Sequence, residues 1–435
     1  MDRERISPIY RPHKDGGRFL LFDGNLKVEA DGSQEPAAGQ IELRLLPKSE
    51  LLAHIFGPAA IRHFFNVGPS EGEPVISVAD DAPLSPPVDR AFAKQDQGSR
   101  SIVALDEIQA GDLASASQIA FHVSGELSAS PTPASISGGA RQSQIDFQLP
   151  GWDLVLAIDN PALDGSGFSA FGRATPTSRP IRVDGVERLG RWLFILFSFV
   201  ANRELGIGPT CGLNAEGEVV WLDCGPPRLK LGKGVINWCT PHLVAAALPQ
   251  LAAGFEAFET DEAMEVIVDR AIGYALAANG DEVIDVRIPI ACSGLELLAW
   301  AVLQRHRWLV DGDARRKLGA AAAVRLLLKW AGIPTAIPQS LSALEAWRKK
   351  GSQPDWEGPE VLFNVRNGMV HPPKRLSDPE WPDGEELFEA WQLGTWYLEL
   401  ILLRILGYEG EYWSRVRLGR SAFDLEPVPW LATTS

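Results

Sequence analysis

Cysteine is scarce in this 435-residue chain: four are present, and no two are spaced as C-x2-C. That absence removes the spacing signature of a zinc ribbon or a dithiol redox motif. Cys211, Cys224, Cys239 and Cys292 therefore read as small buried hydrophobes in a reducing compartment. The seven histidines form neither an i,i+4 pair nor an H-x-E arrangement, so no metal is expected. Neither G-x-x-x-x-G-K-[ST] nor G-x-G-x-x-G occurs, which removes the P-loop and dinucleotide fingerprints, and no cofactor is expected. Positive charge is also in deficit, with 41 Lys+Arg against 56 Asp+Glu and a net charge of −15. Such a balance opposes sequence-blind binding to DNA or anionic membranes and confines any phosphate-binding surface to a local patch. Long apolar runs are missing too. The longest, Trp192–Val200, is about half of what crosses a bilayer. The opening MDRERISPIYRPHKDGG has basic residues but no apolar core of a signal peptide. The expectation is a cytoplasmic, soluble protein with no membrane partner.

What is present points to two kinds of architecture. Up to about Gly234, short apolar runs (FLLFD at 19–23, IELRLL at 41–46, IAFHV at 119–123, VVWL at 219–222) alternate with turn dipeptides, the pattern of strands joined by tight turns. One helix interrupts them near 186–204, with Asp184 as its cap and Leu189, Trp192, Leu193, Leu196, Phe197 and Val200 on its apolar face. From Glu256 the period becomes 3.6. Helices are expected over 261–278, 293–309, 314–331, 340–350, 359–370 and 385–406, with Ser293-x-x-Glu296 read as a capping box. Trp300, Trp308, Trp330, Trp347, Trp391 and Trp396 fall inside these helices and read as core or bundle-seam residues. The expected organisation is an α+β multidomain chain. It comprises a β-rich N-terminal domain (1–235), a linker (236–255), an all-α antiparallel bundle (256–410) and a C-terminal tail (411–435).

The stretch that carries chemistry is VLFNVRNGMVHPP, residues 361–373. Leu362, Val365 and Met369 share a helical stripe, which sets Arg366 at the rim of the buried face. Pro372 and Pro373 end the helix near Val370 and leave His371 just beyond it. Five positions on a continuous helix would splay Arg366 and His371 by about 140°. The break can bring the imidazole back beside the guanidinium. An Arg fork and a His that titrates near neutrality are suited to a scissile phosphate. The plainer reading is a surface Arg paired with an acidic neighbour and a His capping carbonyls.

Arg366-Asn367-x-x-x-His371 resembles the R-x4-H motif, with a polar residue after the Arg, of the HEPN superfamily. The resemblance covers about residues 255–410. The region 194–221 and the closing stretch 407–430 are similar to bacterial proteins in which such a bundle follows a β-rich domain of the ApeA-like type. The resemblance implies a metal-independent endoribonuclease of phage-defence or toxin systems. In it Arg366 polarises the phosphate, His371 acts as general acid or base, and Asn367 orients the pair. It further implies a homodimer through the helical domain, RNA (tRNA included) as substrate, and a phage-derived trigger or antitoxin as partner. Lys374 and Arg375, close behind His371, and Arg305, His306 and Arg307, late in their helix, are the candidate RNA contacts. Basic residues on a solvated helix face are the plainer account of the latter three. The rival reading is a non-catalytic HEPN-like binding or dimerisation module.

Overall fold

The computed structural model describes residues 6–11, 17–30, 33–45, 48–57, 75–79, 84, 100–130, 142–159, 168–227, 237–307, 317–350, 355–370, 382, 384–417 and 424–434. The chain forms two compact units: Met1–Phe194 with Glu204–Leu231, and Ile195–Arg203 with Gly232–Ser435. The first is β-rich and the second helical, an α+β multidomain architecture.

In the β-rich unit, β1 (Arg18–Ala30), β2 (Ser33–Arg44), β3 (Glu50–Phe56), β4 (Val75–Val78) and β5 (Arg100–Leu105) form a sheet in the order β4-β1-β2-β3-β5. A second sheet contains β6 (Ile108–Gly111), β7 (Gln118–Ser124), β8 (Gln142–Leu149), β9 (Trp152–Asp159), β10 (Phe168–Pro176), β11 (Gly206–Leu213) and β12 (Val219–Cys224). Its order is β6-β12-β11-β7-β10-β9-β8. Turn chemistry sets the hairpins. Pro150-Gly151 links β8 to β9 with Gly151 at φ +80°, a backbone region that costs glycine nothing. Between β11 and β12, Asn214 Oδ1 accepts hydrogen bonds from the Glu216 and Glu218 amides, and Gly217 supplies φ +83°. Phe19, Leu21, Ile41 and Leu43 of the first sheet share one core with Ala120, Cys211, Leu213 and Leu222 of the second.

Glu42 and His122 are among the polar residues buried in this unit. Glu42 is fully buried. It receives two hydrogen bonds from Arg18 (2.7 and 2.8 Å) and one from Arg44 (2.5 Å), and His54 Nε2 lies 2.9 Å away. Burial pushes its carboxyl up, but the hydrogen bonds from His54, Arg18 and Arg44 win and hold it well below the carboxylate range. His122 is also buried. Its Nε2 accepts the Tyr10 amide at 3.3 Å, and Nδ1 lies 3.2 Å from the Pro209 carbonyl. Burial lowers its pKa to about 4 against a smaller opposing pull from that carbonyl.

The helix α1 (Val183–Ala201) gives its last two turns, from Ile195, to the helical unit. There the Trp238 indole N–H donates to Phe199 O (3.1 Å) and the Asn237 amide to Val200 O (2.7 Å). Both satisfy carbonyls that a helix end leaves open. The stretch expected as a linker contains α2 (Val244–Ala253), with Val244, Ala247, Leu248 and Leu251 buried. Pro249 inside it reads as a breaker in sequence, yet packing of that apolar face keeps the helix whole.

Then follow α3 (Glu262–Ala278), α4 (Ile284–Arg305), α5 (Ala320–Ala331), α6 (Ser342–Lys350), α7 (Gly358–Val370) and α8 (Gly384–Ile405). Two starts differ from expectation. Helix α4 begins nine residues before Ser293, running through Pro289, and Ser293 Oγ donates to the Pro289 carbonyl (2.9 Å) instead of capping. The helix expected over 314–331 is interrupted at Gly319, whose φ of +71° suits glycine: Lys317 and Leu318 are helical, and α5 starts after it. Helices α3 and α4 are antiparallel, with Arg305 paired to Asp261 across their far ends (3.1 Å). So are α5 and α7, through Arg325–Glu360 (2.9 Å). Helices α4 and α8 run in the same direction: Arg287 stacks on Trp391, Ala291 meets Gly394, and Gly294 meets Leu398. By length and composition α4 is apolar enough to cross a bilayer, but here Ile288, Leu295, Leu298 and Leu303 are core residues of the helical unit.

The expected C-terminal tail is part of that unit. The hairpin of β13 (Glu411–Trp413) and β14 (Leu425–Pro427) places Arg415 in the interior. Its guanidinium makes two 2.7 Å hydrogen bonds to Glu399 of α8, and Asn202 donates a third bond to that carboxylate (3.1 Å). Burial pushes the Glu399 carboxyl up despite the countering Arg415. The Trp430 indole N–H donates to the Tyr408 carbonyl (3.0 Å).

Candidate functional site on helix α7

Glu360, Arg325 and the apolar face of α7 fix the position of Arg366. Val361, Leu362 and Val365 are completely buried and Phe363 nearly so, so the helix cannot rotate without opening the core. Met369, the third residue of the expected stripe, is only half-buried, because the helix emerges from its neighbours toward its end. Arg366 sits one position around from Val365 and its side chain is 27% exposed. Its Nη1 donates to Asn367 Oδ1 (2.9 Å). Its Nη2 is 3.9 Å from Glu296 Oε1 of α4, an attraction longer than a hydrogen bond. Among the described residues the buried Nε has no hydrogen-bond partner.

Cys292 lies one turn before Glu296, wholly buried. Burial drives its thiol well up, outweighing the pull of nearby Arg366, and Glu296 adds to the rise. It therefore stays a neutral thiol and offers no thiolate for nucleophilic chemistry. The chemical capacity of this spot rests on the guanidinium: a fixed fork, partly exposed, which among the described residues has one unpartnered donor and a carboxylate no nearer than 3.9 Å.

His371, Lys374 and Arg375 lie outside the described residues. Arg366 and Asn367 are brought together. Arg305, His306 and Arg307 are not: they follow Glu296 on α4 by nine residues or more, about 13 Å along the axis. Arg305 is paired with Asp261, which also caps α3 by accepting the Met264 amide. His306 lies against Trp330, with ring centroids 5.6 Å apart. Arg307 adopts φ +55° where α4 ends. Glu296 is the residue that the capping-box reading set aside. The signal for it was its place in the row Cys292–Glu296–Trp300, a carboxylate on an otherwise apolar stripe. Among the described residues no group of three His, Cys, Asp or Glu side chains is placed to hold a metal ion.

Residues 261–425, from the cap of α3 into β14, match the family of the YopA C-terminal domain. The chain is also similar to the SPbeta prophage-derived protein YopA of Bacillus subtilis (strain 168). The two are 28% identical over 246 residues, 56% of this chain and 53% of that protein. The chain thus spans about half the length of the curated relative it matches. No solved structure matches. The YopA-like region includes Arg366, Glu296 and the buried Glu399–Arg415 pair.

Proposed function

We propose that the helical unit is a metal-independent endoribonuclease of HEPN type. The observation that carries this reading is Arg366: a partly exposed guanidinium held in position by a buried helix face, whose buried Nε meets no hydrogen-bond partner among the described residues. In this reading the RNA 2′-hydroxyl attacks the adjacent phosphorus. Arg366 stabilises the charge on the pentavalent phosphoryl oxygens, and His371 transfers a proton between the attacking or leaving oxygen and solvent. The leaving 5′-oxygen takes up a proton and the product carries a 2′,3′-cyclic phosphate. Asn367 and Glu296 act on Arg366 as positioning residues. A second copy of the chain would contribute a second such motif, and a tRNA is a fitting substrate. The protein works in the cytoplasm, with the β-rich unit responding to a phage-derived trigger or antitoxin. The prophage origin of the Bacillus relative supports a place in phage–host conflict.

The competing reading is a binding or dimerisation module. The Arg366–Glu296 approach favours it, since a carboxylate near the guanidinium offsets part of the charge a phosphate would meet. Purified protein incubated with a tRNA pool in EDTA decides between them. Cleavage ending in cyclic phosphates is expected from the wild type, and Arg366→Ala and His371→Ala each reduce it by about 100-fold or more. Absence of cleavage by wild type, or cleavage equal in both variants, overturns the proposal.

A further inference from the structure

Between α5 and α6 the chain runs PTAIPQS, residues 334–340. Its two prolines fix φ and stiffen the loop. The loop is fastened from behind, where the Thr335 carbonyl accepts the Gly358 amide (2.7 Å) and the Tyr397 hydroxyl (3.4 Å). At its end the Ser340 hydroxyl donates to the Val416 carbonyl, just past β13. Held in this way, the loop forms one wall of a cavity of about 590 Å³. Pro334, Ile337, Pro338, Trp396 and Val416 give it apolar surface, and Arg417 and Glu426 supply charge. A mostly apolar cavity of this size, with few polar groups, has the form of a small-ligand site.

The carboxylate in that wall is anchored from the interior. Glu426 and Tyr412 are directly opposite across the β13–β14 hairpin. The buried Tyr412 hydroxyl donates to Glu426 Oε1 (2.5 Å) and accepts the Trp396 indole N–H (3.1 Å). Burial pushes the Tyr412 phenol up, and the adjacent carboxylate adds to the rise, so the phenol keeps its proton and remains the donor. Glu426 Oε2 lies 4.0 Å from Arg417 Nη1, beyond hydrogen-bond length, and Arg417 also reaches the Leu425 carbonyl (3.4 Å). The Glu426 side chain stays 32% exposed. Each carboxylate oxygen has two lone pairs, so the bond from Tyr412 orients the group without using up its capacity to accept.

A fixed carboxylate beside apolar walls selects a flat ring that presents neighbouring N–H donors. Guanine does so, with N1–H and an N2 amino group side by side on its pairing edge. Adenine and cytosine set a ring acceptor next to their amino group, and uracil has one N–H between two carbonyls. We infer that this cavity binds a guanine base, with Glu426 accepting from N1–H and N2–H and with Ile337, Pro338 and Trp396 against the ring. A cationic ligand would meet Arg417 at the same rim, and a wholly apolar one would desolvate Glu426 without offering it a donor. Free nucleotides and RNA present the same guanine edge. The cavity stands apart from Arg366: Thr335 in its wall bonds Gly358 at the start of α7, about 12 Å along that helix from Arg366. The inference does not rest on the nuclease reading, and its test does not measure RNA cleavage.

The probes are GMP and AMP, and the trinucleotides ApGpA and ApApA, each measured against the full-length protein by equilibrium dialysis. At least one guanine ligand is expected to bind tenfold or more tighter than its adenine counterpart, the margin of a hydrogen bond or two to a charged acceptor. A preference shown by GMP assigns the site to free nucleotides, and one shown by ApGpA alone assigns it to RNA. Glu426→Gln, which puts an N–H donor where an acceptor oxygen stood, is expected to remove the preference. Ala336→Trp, at an exposed position on the cavity wall, is expected to fill the cavity and abolish binding of both bases. Circular dichroism melts check that each variant folds. Equal affinity for guanine and adenine ligands, or no binding at millimolar concentration, overturns the proposal. So does a guanine preference that survives both Glu426→Gln and Ala336→Trp.

Discussion

Each unit of the molecule buries a carboxylate, and they do so by opposite means. In the β-rich unit Glu42 is surrounded by two guanidinium groups and the His54 imidazole, and the Arg18 and Arg44 side chains remain 29% and 34% exposed. In the helical unit Glu399 is paired, among the described cations, with Arg415, and the pair is sealed, with exposures of 2% and 0%. The first carboxyl is held below its ordinary range and the second is pushed above it. A buried charge therefore costs little where several donors reach it from the rim. It costs much where a single cation and one neutral amide must offset the desolvation of a sealed pair.

That contrast is tested most strongly by Arg415→Met. With its partner removed, Glu399 is left buried and uncompensated, and a loss of about 3–5 kcal/mol in urea unfolding is expected. Adding Glu399→Leu should recover much of the loss, because two apolar side chains leave no charge to desolvate. Arg18→Gln, by contrast, leaves Glu42 with Arg44 and His54 and should cost only about 1 kcal/mol. Equal losses for Arg415→Met and Arg18→Gln would erase the distinction.

Acid sharpens the comparison from another side. His122 is held near 4 in the fold, below an unfolded value of about 6.5. Its neutral ring thus contributes stability that is complete above about pH 6.5 and is lost as pH falls toward 4, roughly 3 kcal/mol at most. Glu42, held low, contributes stability that is also lost on further acidification. Glu399, pushed up, has the opposite sign: its protonation is easier in the fold than in the open chain. Hydrogen exchange at pH 7 and pH 5 should therefore show β7 opening faster at the lower pH while α8 changes little. His122→Asn should flatten the β7 response. Simultaneous opening of β7 and α8 would refute the assignment.

The division between strand-rich and helical halves was legible because periodicity and turn dipeptides are local signals. The Asn214–Glu218 turn and the rim position of Arg366 follow directly from such patterns. What stayed hidden depends on partners distant in sequence. Nothing near Arg415 announces that it pairs with Glu399, so the last 25 residues read as a tail. Pro249 and Pro289 read as breaks because the packing that holds α2 and α4 through them is tertiary. The same error moved the start of α4 to Ser293 and turned Glu296 into a cap. Once the helix starts at Ile284, Glu296 falls one turn past buried Cys292 and faces α7.

The smallest expected effect bears on the candidate site. Glu296 and Arg366 approach only to 3.9 Å, with both side chains partly exposed, against 2.7 Å in the sealed pair. Water and salt screen such a contact, so Glu296→Gln should change stability by less than about 1 kcal/mol. Urea midpoints for Glu296→Gln and Arg366→Gln measured beside Arg415→Met would place the three on one scale. A loss above about 2 kcal/mol at either residue would make the α4–α7 pair a strut of the fold like Glu399–Arg415. Arg366 would then be spoken for by the bundle itself. A near-neutral result would leave a guanidinium that α7 holds in position and that stability does not require, as expected of a group kept for binding phosphate.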